Sequence, residues 1–298
     1  MKPDHRRSVS AVNLAVFFWG ITPVFVKASD ATSSAILAFR LVISVPIAIA
    51  LFFREGSKLS WLGFRNAIVP ALFFYISTGS GYAAFQQTSI ANAMLISQLA
   101  PVIVLFAAPI LFKESLEWKR VSLATLSLGG AALVIIGGEH AGTSTITGDF
   151  WAGVNCITWA IYFLIVKKQR SSGTRVWEFL TPVMLWSAVF AILGALLLEQ
   201  SLSIPRFFDW SMVFSVGILS LSAHALLTWA QSRLEAITTS LLMLGMPIVS
   251  TLSAFLVFGE ALSVLQSVGG VTVICALALV TKVSSQVTEK QAIASDHD

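Results

Sequence analysis

Two ionisable side chains, Arg40 and His224, stand inside long apolar stretches of this 298-residue chain, where charge is costly. Two tryptophans, Trp19 and Trp159, hold similar mid-stretch positions. The sequence contains no HExxH or GxSxG motif, and His224 has no evident acidic partner for catalysis. What these residues can supply is non-covalent: aromatic surface, hydrogen bonds and a positive charge. We therefore expect a binding site rather than an enzyme, with no cofactor and no metal.

Hydrogen-bonding residues recur at steps of three and four along two of the apolar stretches, which places each set on one helix face. An offset of 146 positions lays His224 over Thr78 and Thr228 over Tyr82. Two equivalent stripes predict opposite walls of one cavity, and hydrogen bonding between helices without a ligand is the alternative. The stripes are Tyr75, Thr78 or Gly79, Tyr82 and Gln86, and then Gly217, Ser220, His224, Thr228 and Gln231.

Tryptophan at mid-depth is unusual, because its N–H group is best satisfied at a membrane interface. Trp19, followed by Gly20, and Trp159, with Tyr162 one turn on, correspond to each other at an offset of about 140. Their pairing predicts that both face the cavity, and contact with lipid is the alternative. Trp186 is a further candidate for the cavity wall.

Arg40 must face the interior of a helix bundle, because a guanidinium in hydrocarbon costs at least about 2.5 to 3.5 kcal/mol. Two roles remain open for it. It could contact a carboxylate of the substrate, or it could tie down backbone carbonyls that a proline such as Pro46 leaves free.

The strongest repeat joins two proline-broken stretches. Pro101 precedes Glu114 by thirteen residues, and Pro247 precedes Glu260 by the same spacing. Proline removes a backbone donor and exposes carbonyls, so we expect a broken helix with gating and substrate-binding residues at each site. The predicted substrate contacts there are Gln98 and Met243. For the two glutamates we expect helix capping at the next span, with ion coupling as the alternative.

The elements that carry these residues follow from composition. The chain is 56% hydrophobic and only 11% charged, whereas soluble domains average about 25% charged residues. We predict an all-α integral membrane protein in which ten transmembrane helices surround a central cavity. The predicted spans are residues 11–27, 32–53, 66–86, 90–112, 120–137, 148–167, 176–198, 211–231, 237–259 and 264–282.

The basic residues predict the orientation. All but three of the 19 lysines and arginines fall on one side if both termini are cytoplasmic, the exceptions being Lys27, Arg40 and Arg206. Since five spans per half is an odd number, residues 1–140 and 148–285 are expected to form two inverted repeats, followed by a disordered cytoplasmic tail at 286–298. The basic N-terminus is not expected to be a cleaved signal.

These features together resemble the EamA-type members of the drug/metabolite transporter superfamily. The resemblance lies in ten spans as two halves, in the Trp19-Gly20 and Trp159-Ala160 pairs and in the repeated proline and glutamate spacing. Within the superfamily the chain is most similar to the YddG-type exporters of aromatic and neutral amino acids. This resemblance implies alternating access around a central cavity.

We therefore expect facilitated export of small amphipathic metabolites, above all aromatic and other neutral amino acids. The alternative is a proton-coupled exporter of drugs or other metabolites with the same fold. Superfamily members that carry sugar phosphates need cationic clusters, and this sequence shows none at depth. We expect a monomer in a bacterial inner membrane, in contact with lipid and with no nucleic-acid partner.

Overall fold

Helices make up nearly all of the described chain. The computed structural model describes residues 3–58, 60–88, 90–115, 117–137, 145–259 and 262–295, and among them there is no strand. Ten segments are long and apolar enough to cross a membrane, which confirms the predicted all-α membrane fold. The helices are α1 (Pro3–Lys27), α2 (Ser33–Glu55), α3 (Trp61–Asn66), α4 (Ile68–Gln87), α5 (Ile90–Ser97), α6 (Ala100–Phe112), α7 (Trp118–Gly137), α8 (Ile146–Ser171), α9 (Val176–Leu197), α10 (Phe207–Gln231), α11 (Ala236–Leu242), α12 (Met246–Phe258) and α13 (Val264–Ser295).

The fourth and ninth spans are each broken in the middle, as their prolines predict. Pro101 is the second residue of α6, and Pro247 is the second residue of α12. A proline has no N–H group and its ring clashes with the carbonyl four residues back, which favours a break at each position. The first break is a turn at Gln98 and Leu99, and the second is a short 3₁₀ helix over Met243–Gly245.

Both chain ends are more helical than predicted. Helix α1 already begins at Pro3 and includes the basic N-terminal segment. Helix α13 continues to Ser295, where a disordered tail was expected from 286, while 296–298 lie outside the described residues. Glu, Lys, Gln and Ala in this segment have high helix propensity, so an established helix extends through them at little cost.

The two halves of the chain interleave. Helix α1 of the first half packs along α10 of the second, and α4 packs along α8; α2 and α9 form a further pair, as do α7 and α13. Each of these pairs joins one half to the other. The halves therefore share one core and are not separate domains, and the central site is built from both.

The two ends of the bundle differ in how tightly they close. We call them the Glu114 end, where α6 ends and α11 begins, and the Asp209 end, where α10 begins. At the Glu114 end α6 packs against α11. At the Asp209 end the equivalent helices, α5 and α12, make at most slight contact in the described part of the chain. The bundle is thus closed more tightly at the Glu114 end.

Candidate functional site

The predicted central residues meet around one imidazole. The ring of His224 on α10 lies 4.8 Å from Trp19 on α1 and 4.7 Å from Phe74 on α4, both in edge-to-face contact. Trp159 and Tyr162 on α8 follow at 5.9 and 6.1 Å. We call these five residues the central cluster. Four helices, two from each half, position it.

The middle of the central cluster is buried and holds unused hydrogen-bonding capacity, while Trp19 and Trp159 are partly exposed. His224 is 4% exposed and Tyr162 is 1% exposed. The Tyr162 hydroxyl has no hydrogen-bond partner among the described residues. A buried polar group without a partner is costly, and such groups in native proteins call for an explanation. Their presence between apolar rings suits a ligand that is itself partly polar.

Arg40 lies beside the central cluster. Its guanidinium carbon is 5.9 Å from the centre of the Phe74 ring and 5.9 Å from that of Tyr82. The side chain is buried, and its Nε has no partner. Phe74 therefore stands between the imidazole and the guanidinium, the two ionisable groups that the sequence places at depth.

A small cavity connects the two helix breaks to the central cluster. Its volume is about 20 Å³, enough for a single water molecule but too small for an amino acid. Gln98 contributes an Nε2 with no hydrogen-bond partner. The cavity is lined by Ser97, Gln98, Ala100, Pro101, Val104, Trp159, Phe163, Ser240 and Met243. The predicted residues Gln98, Trp159 and Met243 thus meet in one place.

Two predicted wall residues lie elsewhere. Trp186 donates its indole N–H to the Phe64 carbonyl at 3.0 Å and packs on the Phe64 ring. Tyr75 packs toward α9, where its hydroxyl lies against Gly194. Trp186 on α9 thus faces α3. Tyr75 faces α9 because successive residues of a helix point about 100° apart, so Tyr75 cannot share a face with its neighbour Phe74. The structure does not bring either residue into the central cluster.

The remaining predicted residues make mostly local contacts. Thr78 donates its hydroxyl to the Phe74 carbonyl on its own helix at 3.0 Å. Thr228 is buried one turn beyond His224, and its carbonyl accepts a hydrogen bond from Arg170. A side chain at Gly79 would meet only ordinary contacts. Gly20 differs, since a Cβ there would lie 2.5 Å from the Cβ of Val249 on α12.

Phe74 is the one member of the central cluster that the sequence analysis missed. It precedes Thr78 by four residues and Tyr82 by eight, so it shares their helix face. The predicted stripe consists of hydrogen-bonding residues, and the phenylalanine side chain has no hydrogen-bonding group. Extending the stripe by one turn, without regard to polarity, would have found it.

Charged side chains tie the helices together at the Glu114 end. The Glu114 carboxylate accepts hydrogen bonds from the backbone N–H groups of Ala236 and Ile237, at 2.6 and 3.1 Å. It therefore caps α11 of the other half, whereas capping of the next span was expected. Burial raises the pKa of Glu114 above its usual value, against the opposing effect of the two N–H donors and Lys167. The equivalent Glu260 lies outside the described residues.

Two cations complete this end. Lys167 is buried and donates to the carbonyls of Gln231 and Leu234, at 2.9 and 2.6 Å. Arg120 forms an ion pair with Glu235 at 2.6 Å. At the opposite end, buried Asp209 accepts from the backbone N–H of Asp30 and from Arg206. Each end is therefore held by contacts between loops of different halves.

Comparison with known proteins gives consistent results. The chain is 24% identical to an uncharacterized transporter of Archaeoglobus fulgidus, over 90% of this chain and 94% of that one. It is also 24% identical to an uncharacterized transporter of Synechocystis sp., over 73% of this chain and 64% of that one. A solved crystal structure superposes with a TM-score of 0.79 at 17% identity, covering 93% of this chain and 98% of the other. This last likeness concerns the fold alone.

The family assignment rests on a match that recurs along the chain. The model of the EamA-like transporter family matches residues 6–136 and again residues 146–282. The two matches take in all ten candidate spans, except the first two residues of the first span and the last residue of the fifth and of the tenth. This chain is a membrane transporter and belongs to the EamA-like transporter family.

Proposed function

We propose that this transporter exports small amphipathic metabolites, with aromatic and other neutral amino acids as its substrates, across a bacterial inner membrane. The observation that carries the proposal is the central cluster, in which aromatic rings from both halves surround His224 next to Arg40. Such rings offer a flat apolar surface to a side chain. The neighbouring guanidinium, imidazole, phenol and amide suit polar groups of the same solute.

The charges at this site disfavour the main alternative. A cationic drug is best bound by a buried carboxylate, but among the described residues no acidic side chain belongs to the central cluster or lines the cavity beside it. The fixed charge here is that of Arg40, which repels a cation. The same lack of a central carboxylate favours transport down a gradient over proton antiport.

The two helix breaks support alternating access as the mechanism. Both lie beside the central cluster, and each divides a span into two short helices that can tilt separately. Closing α6 on α11 shuts the Glu114 end, and closing α5 on α12 would shut the other. The concentration of lysine and arginine at the Glu114 end supports a cytoplasmic location for that end and for both termini.

Counterflow in proteoliposomes tests the proposal. Vesicles containing the purified protein are loaded with excess unlabelled neutral amino acid, sugar, phosphate or cationic drug, and uptake of radiolabelled phenylalanine is followed. We expect accumulation only with neutral amino acids inside. Accumulation driven by cationic drugs instead would move the assignment to drug export.

A matched pair of tryptophans tests whether the central cluster is the site. Trp159→Ala removes a ring of the central cluster and is expected to lower counterflow about five- to tenfold, since aromatic contacts contribute up to about 1.5 kcal/mol. Trp186→Ala removes a similar ring on α9 and should leave counterflow within about twofold of the wild type. Equal losses in the two variants would place the site elsewhere.

A further inference from the structure

The backbone at Arg40 is fixed in depth by contacts with α10. The Ser44 hydroxyl donates to the Arg40 carbonyl at 2.7 Å and lies 3.4 Å from the Gly217 carbonyl. Gly217 has no side chain, and a Cβ there would approach the Arg40 carbonyl to 3.2 Å. Helices α2 and α10 are therefore in close contact at Arg40, and this contact hinders a shift of Arg40 toward the membrane–water interface.

The Arg40 guanidinium has no anionic partner in the described part of the chain. No carboxylate forms an ion pair with it, no carbonyl accepts from it, and its Nε is buried and unpartnered. The structural tie to free backbone carbonyls, which the sequence left open, is thus not formed here. Arginine stays protonated in proteins, so the charge persists.

The aromatic rings beside Arg40 account for only part of its interactions. Phe74 and Tyr82 lie 5.9 Å from the guanidinium carbon, within the range of a cation–π contact. Such a contact uses the face of the ion and leaves its in-plane N–H donors free. A planar fork of donors is the arrangement that proteins use to bind a carboxylate by two parallel hydrogen bonds.

We propose that Arg40 binds the carboxylate of the transported solute while the central cluster holds its apolar part. Phe74 contacts both His224 and Arg40, so a solute the size of phenylalanine can reach both groups at once. This inference rests on the proposed function and narrows it to carboxylate-bearing solutes. Arg40 is then the residue that makes the transporter selective for solutes with a carboxylate.

Four related compounds test the proposal on the unaltered protein. Binding to the purified transporter is measured by thermal shift for phenylalanine, phenylalanine amide, 3-phenylpropionate and 2-phenylethylamine. We expect the two carboxylates to bind at least about 30-fold more tightly than the amide and the amine, since hydrogen bonds to charged groups are the strong ones. Equal binding of phenylalanine and its amide would overturn the role of Arg40.

The same series separates failure of this inference from failure of the proposed function. Binding of 3-phenylpropionate without binding of phenylalanine would refute amino-acid export and support Arg40 as the carboxylate site. Transport of phenylalanine and its amide at equal rates would support amphipathic export and refute the Arg40 site. If neither carboxylate binds, the Arg40 site is refuted.

Variants at Arg40 test the same point from the side of the protein. Arg40→Gln is expected to abolish the 30-fold preference for phenylalanine over its amide, so that the two bind about equally. Arg40→Lys should retain a preference of about threefold. Arg233→Gln is the matched control, since Arg233 also stacks on an aromatic ring, at 4.1 Å from Trp229, but on the exposed surface. A purely structural role would lower both affinities and leave their ratio unchanged. If Arg40→Gln does not fold, Arg40→Lys gives the ratio.

Discussion

Helices α6 and α12 span equivalent residues of the two halves, Ala100–Phe112 and Met246–Phe258, at an offset of 146 positions. Each carries proline at its second residue, and each ends on a residue in the left-handed conformation, Lys113 or Gly259. Their surroundings differ: α6 packs on α11 of the other half, whereas α12 makes at most slight contact with α5 in the described residues. The same local design therefore serves both a closed end and a looser one.

The cap on α11 stabilises the closed Glu114 end. Glu114 follows α6 and closes the first turn of α11 with two charge-assisted hydrogen bonds, which joins the two half-helices directly. All seven residues of α11 are buried. A transporter with two equivalent prolines can therefore favour one conformation through contacts at the helix ends. The following predictions test this comparison.

The largest effect is expected from Glu114→Ala. Two buried N–H groups on α11 lose their acceptor, at a cost of about 3 kcal/mol to the closed arrangement. With Cys156 and Cys275 replaced by alanine, a cysteine at Ser240 on α11 reports opening of the Glu114 end to a membrane-impermeant maleimide. We expect labelling about 100-fold faster in the Glu114→Ala variant, because 1.4 kcal/mol is a factor of ten.

The control for this prediction is Glu117→Ala. Glu117 lies in the same loop, but its side chain is exposed. Its removal should leave the labelling rate within about twofold of the background protein. If the rate is also unchanged in Glu114→Ala, the cap does not hold the Glu114 end closed.

A smaller effect is expected where α1 meets α12. Gly20 has no room for a Cβ against Val249, and Ser250 donates to the Gly20 carbonyl at 2.9 Å. Gly20→Ala should lower the unfolding free energy by about 2 kcal/mol through overpacking. The equivalent residue on α8 is Ala160, and Ala160→Gly should cost only about 1 kcal/mol. Both values can be measured by denaturant titration in micelles, and the reverse ranking would contradict the tight α1–α12 contact.

The smallest effect concerns the two left-handed residues that end α6 and α12. Lys113 has a φ of 57° and Gly259 a φ of 68°. Glycine adopts this conformation without strain, so Lys113→Gly should raise the unfolding free energy by up to about 1 kcal/mol, and Gly259→Ala should lower it by a similar amount. The same titration measures both. Two changes of equal sign would show that these turns are not equivalent.

The sequence predicted the membrane fold and the two breaks because each depends on a local property of the chain. A run of about twenty apolar residues is long enough to span a bilayer, and the repeated spacing of Pro101 and Pro247 marks the two breaks. Four other prolines, Pro23, Pro46, Pro109 and Pro182, lie inside continuous helices, so a proline alone does not decide a break. The candidate site could be predicted in part. Trp19, Trp159, Tyr162 and His224, four of the predicted residues, lie together in the central cluster, and Phe74 was not predicted because its contribution is purely apolar.

The placement of Trp186 and Tyr75 could not be predicted, because periodicity gives the face of a helix but not which neighbour covers it. Trp186 packs on Phe64, and Tyr75 packs on α9. The hydrogen-bond partner of Glu114 could not be predicted for the same reason. Capping could be predicted from its position after a helix, but the capped helix begins 122 residues later in the chain.

The sequence by itself determined ten apolar spans, their division by Pro101 and Pro247 and the presence of charge at depth, since these follow from hydropathy and backbone chemistry. Only the tertiary structure decided that Arg40 lies beside Phe74 without an anionic partner among the described residues, and that α6 packs on α11 while α5 and α12 make at most slight contact there. The physical reason is that both outcomes depend on which helices of the two halves pack together. Side-chain distances of a few ångströms across that interface are not encoded in any single stretch of the chain.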